Sequence, residues 1–135
     1  MKHLIEFYSK KTPENLISLL KEPYDAITFF YFQDERLNEK TICLLSKILT
    51  EMVGITPVFC AVERKEIPSI LDSFSLLPKD DFLHFDLTGG NELFSVAAGI
   101  FYERNRSSNI HLHQYDIPSG TLRFALPKPL PVDLP

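Results

Sequence analysis

A chain of 135 residues with 44% hydrophobic and 24% charged side chains has the size and composition of one folded domain that buries a core without disulfide or metal staples. Its net charge of −4 speaks against broad binding to duplex nucleic acid, which needs a basic face, and leaves room for a small anion in a local pocket. No apolar run approaches the roughly 20 residues of a membrane span.

The N-terminus enters a strand pattern directly, with no signal-peptide layout. Cys43 and Cys60 lie in apolar segments without CxxC or His/Cys ligand spacing, so they read as reduced, buried thiols of a cytoplasmic protein. His3 to Ser9 reads as the first strand, carried by Leu4, Ile5, Phe7 and Tyr8. Ser9-Lys10-Lys11 is a polar turn. Thr12 then serves as N-cap and Pro13 as first residue of a helix with Leu16, Ile17, Leu19 and Leu20 on its apolar face, stopped by Pro23. Ala26 to Phe32 is a continuous apolar run, the pattern of a parallel strand buried on both faces. Asn38 to Val53 is the longest helix, with Ile42, Leu45, Ile48, Leu49 and Met52 on one side and Gly54 as its C-cap.

Thr56 to Val62 reads as a third buried strand. A short helix follows, opening near Pro68 with Ile67, Ile70, Leu71 and Phe74 on its face. Phe82 to Leu87 is the fourth strand. Leu93 to Tyr102 is a helix apolar nearly all round, which predicts cover on two sides: the sheet, and a second subunit. Asn109 to Tyr115 and Thr121 to Ala125, joined by Asp116-Ile117-Pro118-Ser119-Gly120, read as a C-terminal antiparallel hairpin. Residues 126–135 carry four of the ten prolines and read as a linker towards a further domain. The β-α alternation over 1–125 predicts an α/β fold: a Rossmann-like open, mainly parallel sheet flanked by helices, with right-handed crossovers.

Ligands of such sheets bind beyond the carboxyl ends of the strands. Two loops fall there: Ser9-Lys10-Lys11 after the first strand, and Thr88-Gly89-Gly90-Asn91 between the fourth strand and the helix behind it. In the second, a backbone stripped of side chains stands at a helix N-terminus, where unpaired N–H groups and the helix dipole favour an anion.

Asp86-Leu87-Thr88-Gly89-Gly90-Asn91-Glu92-Leu93-Phe94, followed by Ala97-Ala98, resembles the N-L-T-G-G-T-K-L-M signature of CARF domains, the CRISPR-associated Rossmann-fold sensors of type III CRISPR systems. Ser9 with Pro13-Glu14-Asn15-Leu16 resembles the opening of the branch that carries a PD-(D/E)xK nuclease after the sensor. The resemblance implies a homodimer that binds a cyclic oligoadenylate across its two-fold axis and regulates an effector nuclease. It needs no metal or cofactor. It implies ligand contacts from Ser9, Lys10, Lys11, Thr88, Gly89, Gly90 and Asn91. Glu92 stands where the family has lysine. That departure opens a second expectation, a dimerisation module without ligand. A third is a metal-independent ring nuclease, in which the ribose 2′-OH attacks the neighbouring phosphate and Ser9, Thr88 and a lysine position and stabilise.

Two further patterns read as scaffold. Glu63-Arg64-Lys65 matches an E-x-K half-motif but lacks an upstream acidic partner for a metal. His111 and His113 share one strand face and would need His84 and an acidic residue to complete a metal site. No P-loop, GxGxxG or Ser-His-Asp order is present.

Overall fold

The computed structural model describes residues 1–9, 22–35, 37–106, 109–116 and 121–124. Lys10, Lys11, the helix expected from Thr12, the turn at 117–120 and the proline-rich tail lie outside the described residues. Nine elements follow in order: β1 (Lys2–Phe7), β2 (Ala26–Phe32), α1 (Glu39–Val53), β3 (Val58–Val62), α2 (Ile67–Phe74), β4 (Phe82–Asp86), α3 (Glu92–Arg104), β5 (Ile110–Asp116) and β6 (Thr121–Phe124). The strands form one sheet in the order β3-β2-β1-β4-β5-β6. The first five are parallel, and β6 pairs antiparallel with β5 at the edge. This is the expected Rossmann-like α/β arrangement. Strand order reverses between β1 and β4, which opens a crevice at their carboxyl ends.

β1 and β2 are buried on both faces, as the continuous apolar run of β2 predicts. Ile5 and Phe7 of β1, Phe30 and Phe32 of β2, Leu83 and Phe85 of β4, and Leu112 of β5 face α2 and α3. Leu4, Ile27 and Phe29 point the other way, towards Leu49 of α1. On the first face Phe94 of α3 is sandwiched between two strand aromatics. Its ring centroid lies 4.6 Å from Phe7 and 4.5 Å from Phe32, nearly parallel to both.

The helix ends follow local chemistry. Asn38 caps α1 through its side-chain oxygen, which accepts from Thr41 N–H, and Gly54 closes it at φ 72°. Pro68 occupies the first turn of α2, where no N–H is needed.

Several expectations are corrected. β3 is an edge strand and not a buried one: Val58 and Ala61 are exposed and only Val62 is fully enclosed. Cys43 is exposed and Cys60 half-buried. In α1 the buried line is Leu45 and Leu49, and Cys43 lies about 200° round the helix from Leu45 at 100° per residue. Met52 is likewise exposed. Among the described residues no helix is long and apolar enough to cross a membrane.

Phe94→Ala removes a fully buried ring from between two others, so it should lower unfolding free energy by about 3–5 kcal/mol, read as a drop in denaturation midpoint. A loss under about 1 kcal/mol would mean that the sandwich does not hold the α3 face.

Candidate functional site

Thr88, Gly89, Gly90 and Asn91 connect β4 to α3 at the reversal of strand order. The turn is pinned on three sides. Leu87 N–H donates to the His113 carbonyl on β5 (2.7 Å). Gly90, at φ 86°, lies against the end of β1, where an added Cβ would stand 2.5 Å from Phe7 Cβ and 3.1 Å from its carbonyl oxygen. The glycine is therefore required twice, by backbone conformation and by contact. Asn91 caps α3: its side-chain oxygen accepts from Leu93 N–H (2.9 Å), and its carbonyl accepts from Phe94 N–H (3.0 Å).

With Leu93 and Phe94 so occupied, the N–H groups of Gly89, Gly90 and Asn91 donate to no other described residue. Successive backbone donors at a helix start are a general feature of anion-binding turns. The contact with Phe7 sets this turn beside the segment that leads to Ser9, two residues on. Ser9 is half-buried and engaged in an interaction of its own. Glu92 is exposed in the first turn of α3, where the dipole favours a carboxylate.

Beneath the turn lies a row of ionisable side chains that strand pattern alone left unread. Register places Glu6 of β1 opposite Asp86 of β4, and Asp86 opposite His113 of β5. All three are buried. Asp86 Oδ1 accepts from both Thr88 N–H (3.0 Å) and Thr88 Oγ1–H (2.5 Å). His113 Nε2 stands 4.0 Å from the same oxygen. Burial outweighs the pull of Asp86 and lowers the His113 pKa. Neither oxygen of Glu6 has a hydrogen-bond partner of good geometry. Asp86 therefore acts on Glu6 chiefly as a neighbouring charge. Burial first and Asp86 second hold the Glu6 carboxyl well above the usual carboxylate range, so it is the protonated member of the pair. The signals for this row were Glu6 inside an otherwise apolar strand and Asp86 two residues before a threonine.

One register step back, His84 stacks on His111 at 4.6 Å and meets Tyr24 edge-on. Burial, then the charges of His111, Lys2 and His113, bring His84 down to about 3. No group of described residues could hold a metal ion. Lys65 of the E-x-K pattern pairs instead with Asp34 at 3.7 Å.

A cavity of 590 Å³ opens at the other end of the sheet, lined by Phe74, Leu83, Phe101, Arg104 and Ile110 among others. None of the described candidate residues lines it. These residues therefore stand apart from this cavity, at the opposite end of the sheet.

No protein-family model and no curated protein sequence matches the chain. Among solved structures, Can2 from Sulfobacillus thermosulfidooxidans in complex with cyclic tetra-adenylate superposes with a TM-score of 0.74 at 16% identity, over 93% of this chain. Enterococcus italicus Csm6 bound to cyclic hexa-2′-fluoro-hexa-dAMP gives 0.69 at 13% identity, over 87% of it. The chain has a CARF-like fold. It spans 35% of the length of that Can2 chain and 34% of that Csm6 chain. At such identities the likeness concerns architecture. Within the CARF-like architecture the turn stands at the strand-order reversal, where open α/β sheets take ligands.

Two outcomes test this geometry. Gly90→Ala forces both a strained φ and a clash with Phe7, and should cost about 1–3 kcal/mol, seen as a lower thermal midpoint; an unchanged midpoint would refute the contact. Glu6→Gln mimics the protonated acid. The unfolded chain loses the Glu6 proton above about pH 4.5 while the folded chain keeps it, so Glu6 lowers stability progressively as pH rises from there towards its raised folded pKa. The variant's stability advantage should grow over that window in denaturant titrations at stepped pH. Parallel pH–stability curves would show Glu6 to be ionised in the fold.

Proposed function

We propose that this chain is a ligand-sensing domain for a cyclic oligoadenylate, which it binds across a symmetric dimer and whose presence it relays to an attached or partner effector nuclease in type III CRISPR defence. The observation that carries the reading is the Thr88–Asn91 turn: three successive amides at a helix start that donate to no other described residue, seated at the strand-order reversal. The two structures compared above hold cyclic tetra-adenylate and cyclic hexa-2′-fluoro-hexa-dAMP, which supports this ligand class. A ring with two-fold symmetry suits an isologous pair of such turns. Ser9, Lys10 and Lys11 would close the pocket from the β1 side. Val96, exposed on the otherwise apolar α3, supports a second subunit against that helix.

Glu92 favours a second reading, a dimerisation module without ligand. Its carboxylate sits at the helix start, next to those amides, where it repels phosphate.

Calorimetry with cyclic tetra- and hexaadenylate separates the two. The sensing reading predicts heat with one ring at a ratio of one per two chains, together with a raised thermal midpoint from preferential binding to the folded state. Glu92→Lys should tighten that binding, by up to about tenfold at low salt. No heat and no midpoint shift with either ring would leave the dimerisation module.

A further inference from the structure

The cavity at the amino end of the sheet forms where two helices stop and two strands start. Phe74 ends α2 and Arg104 ends α3, while Leu83 and Ile110 lie at the starts of β4 and β5. Its floor is apolar. Phe74, Leu77, Leu83 and Ile110 are buried, and the half-buried Phe101 meets Phe74 edge-on at 5.6 Å. Its 590 Å³ falls within the roughly 300–1,000 Å³ of small-molecule sites. Such a floor takes an apolar body, and the polar groups at the mouth decide what that body carries. Helix carboxyl ends draw cations through open carbonyls, but in the last turn of α2 these are taken. Ser75 N–H donates to Leu71, Ser75 Oγ–H to Asp72, Leu76 N–H to Ser73 and Leu77 N–H to Phe74. In α3, Asn105 N–H covers the carbonyls of Phe101 and Tyr102. Two of the charged side chains that line the cavity are engaged as well. Asp81 Oδ2 lies 3.3 Å from His3 Nδ1, and Arg106 pairs with Glu103 at 2.7 Å. Lys79 and Arg104, both exposed, form no ion pair among the described residues. Asp72, also exposed and without an ion pair there, is the opposing charge.

We propose that this cavity is a second ligand site, which takes a small amphipathic carboxylate: its apolar body on the Phe74–Phe101 floor, its carboxylate at the mouth on Arg104 and Lys79. The guanidinium fork matches a carboxylate through two parallel hydrogen bonds, and the ammonium adds a point charge. Lys79 and Arg104 against Asp72 leave a local positive balance in a chain whose total is −4, so the mouth favours an anion against the charge of the rest. A nucleotide or polyphosphate brings more charge than this balance offsets and less apolar surface than the floor offers. The site is remote from the Thr88–Asn91 turn and does not rest on the sensing reading.

Three probes with the same apolar body test it on the intact chain at neutral pH: octanoate, octanol and octylammonium, each titrated while amide chemical shifts are followed. Octanoate should bind saturably, one per chain, with its largest shifts at Leu83, Phe101, Arg104 and Ile110. Octanol should bind about two- to fivefold more weakly, the scale of an exposed charge pair, and octylammonium more weakly still. Arg104→Ala should lower octanoate affinity by about the same factor and leave octanol unchanged, while Arg104→Lys keeps part of the difference. Raised salt should weaken octanoate and not octanol. Ser75→Trp, which fills the mouth from an exposed position, should abolish binding of all three. No saturable binding of octanoate, shifts centred away from these residues, or equal affinity for octanoate and octylammonium would overturn the proposal. So would an octanoate affinity that Arg104→Ala does not move. A concentration-dependent dimer that shifts this face while octanoate does not would make a second copy its occupant, and the proposal would fall.

Discussion

The contact between Gly90 and Phe7 is the constraint on which the candidate site depends. A single methyl group at Gly90 would intrude to 2.5 Å from Phe7 Cβ, so the turn rests on the end of β1 with no room for a side chain between them. Phe7 is also one face of the aromatic sandwich around Phe94. The helix that begins at the turn is therefore packed against the same side chain that the turn rests on. Core packing and site geometry are one structure here. Close-packed interiors transmit displacements of a methyl group's size, so the crevice inherits its shape from the hydrophobic core.

A second constraint opposes the first in energy. Placing Glu6, Asp86 and His113 side by side in the interior is unfavourable by itself, because burial disfavours every charged form. The arrangement is tolerable because the three groups do not all carry charge. Glu6 is held protonated by burial and by its neighbour, His113 is pushed towards neutrality, and Asp86 has two hydrogen bonds from Thr88. What the fold gains from this cost is a turn held by a side chain as well as by packing.

The CARF-like fold is compatible with many ligands, since fold and function are separable. Glu92 stands beside the turn and not within it, because Asn91 takes the capping position and leaves Glu92 exposed. Its effect on an anion is then through solvent-screened charge and not through a lost hydrogen bond.

Much of this protein was written in its residue pattern. The unbroken run from Ala26 to Phe32 marked a strand buried on both faces, Asn38 and Gly54 marked both ends of α1, and Thr88-Gly89-Gly90 marked the turn, because backbone propensity and capping act locally. Exposure was less legible. Cys43, Met52 and Val58 are apolar by composition, yet they stand outside, since which side of a helix or strand meets the core depends on neighbours far away in sequence. The register across β1, β4 and β5 was invisible for the same reason: residues 6, 86 and 113 meet only when the sheet assembles. By itself the sequence determined that there would be a strand, a glycine turn and a helix. Only the tertiary structure decided that a buried carboxylate stands behind that turn and which way the Thr88 proton points, because a hydrogen bond between a strand and its following loop needs the neighbouring strands to exclude water and hold the charge in place.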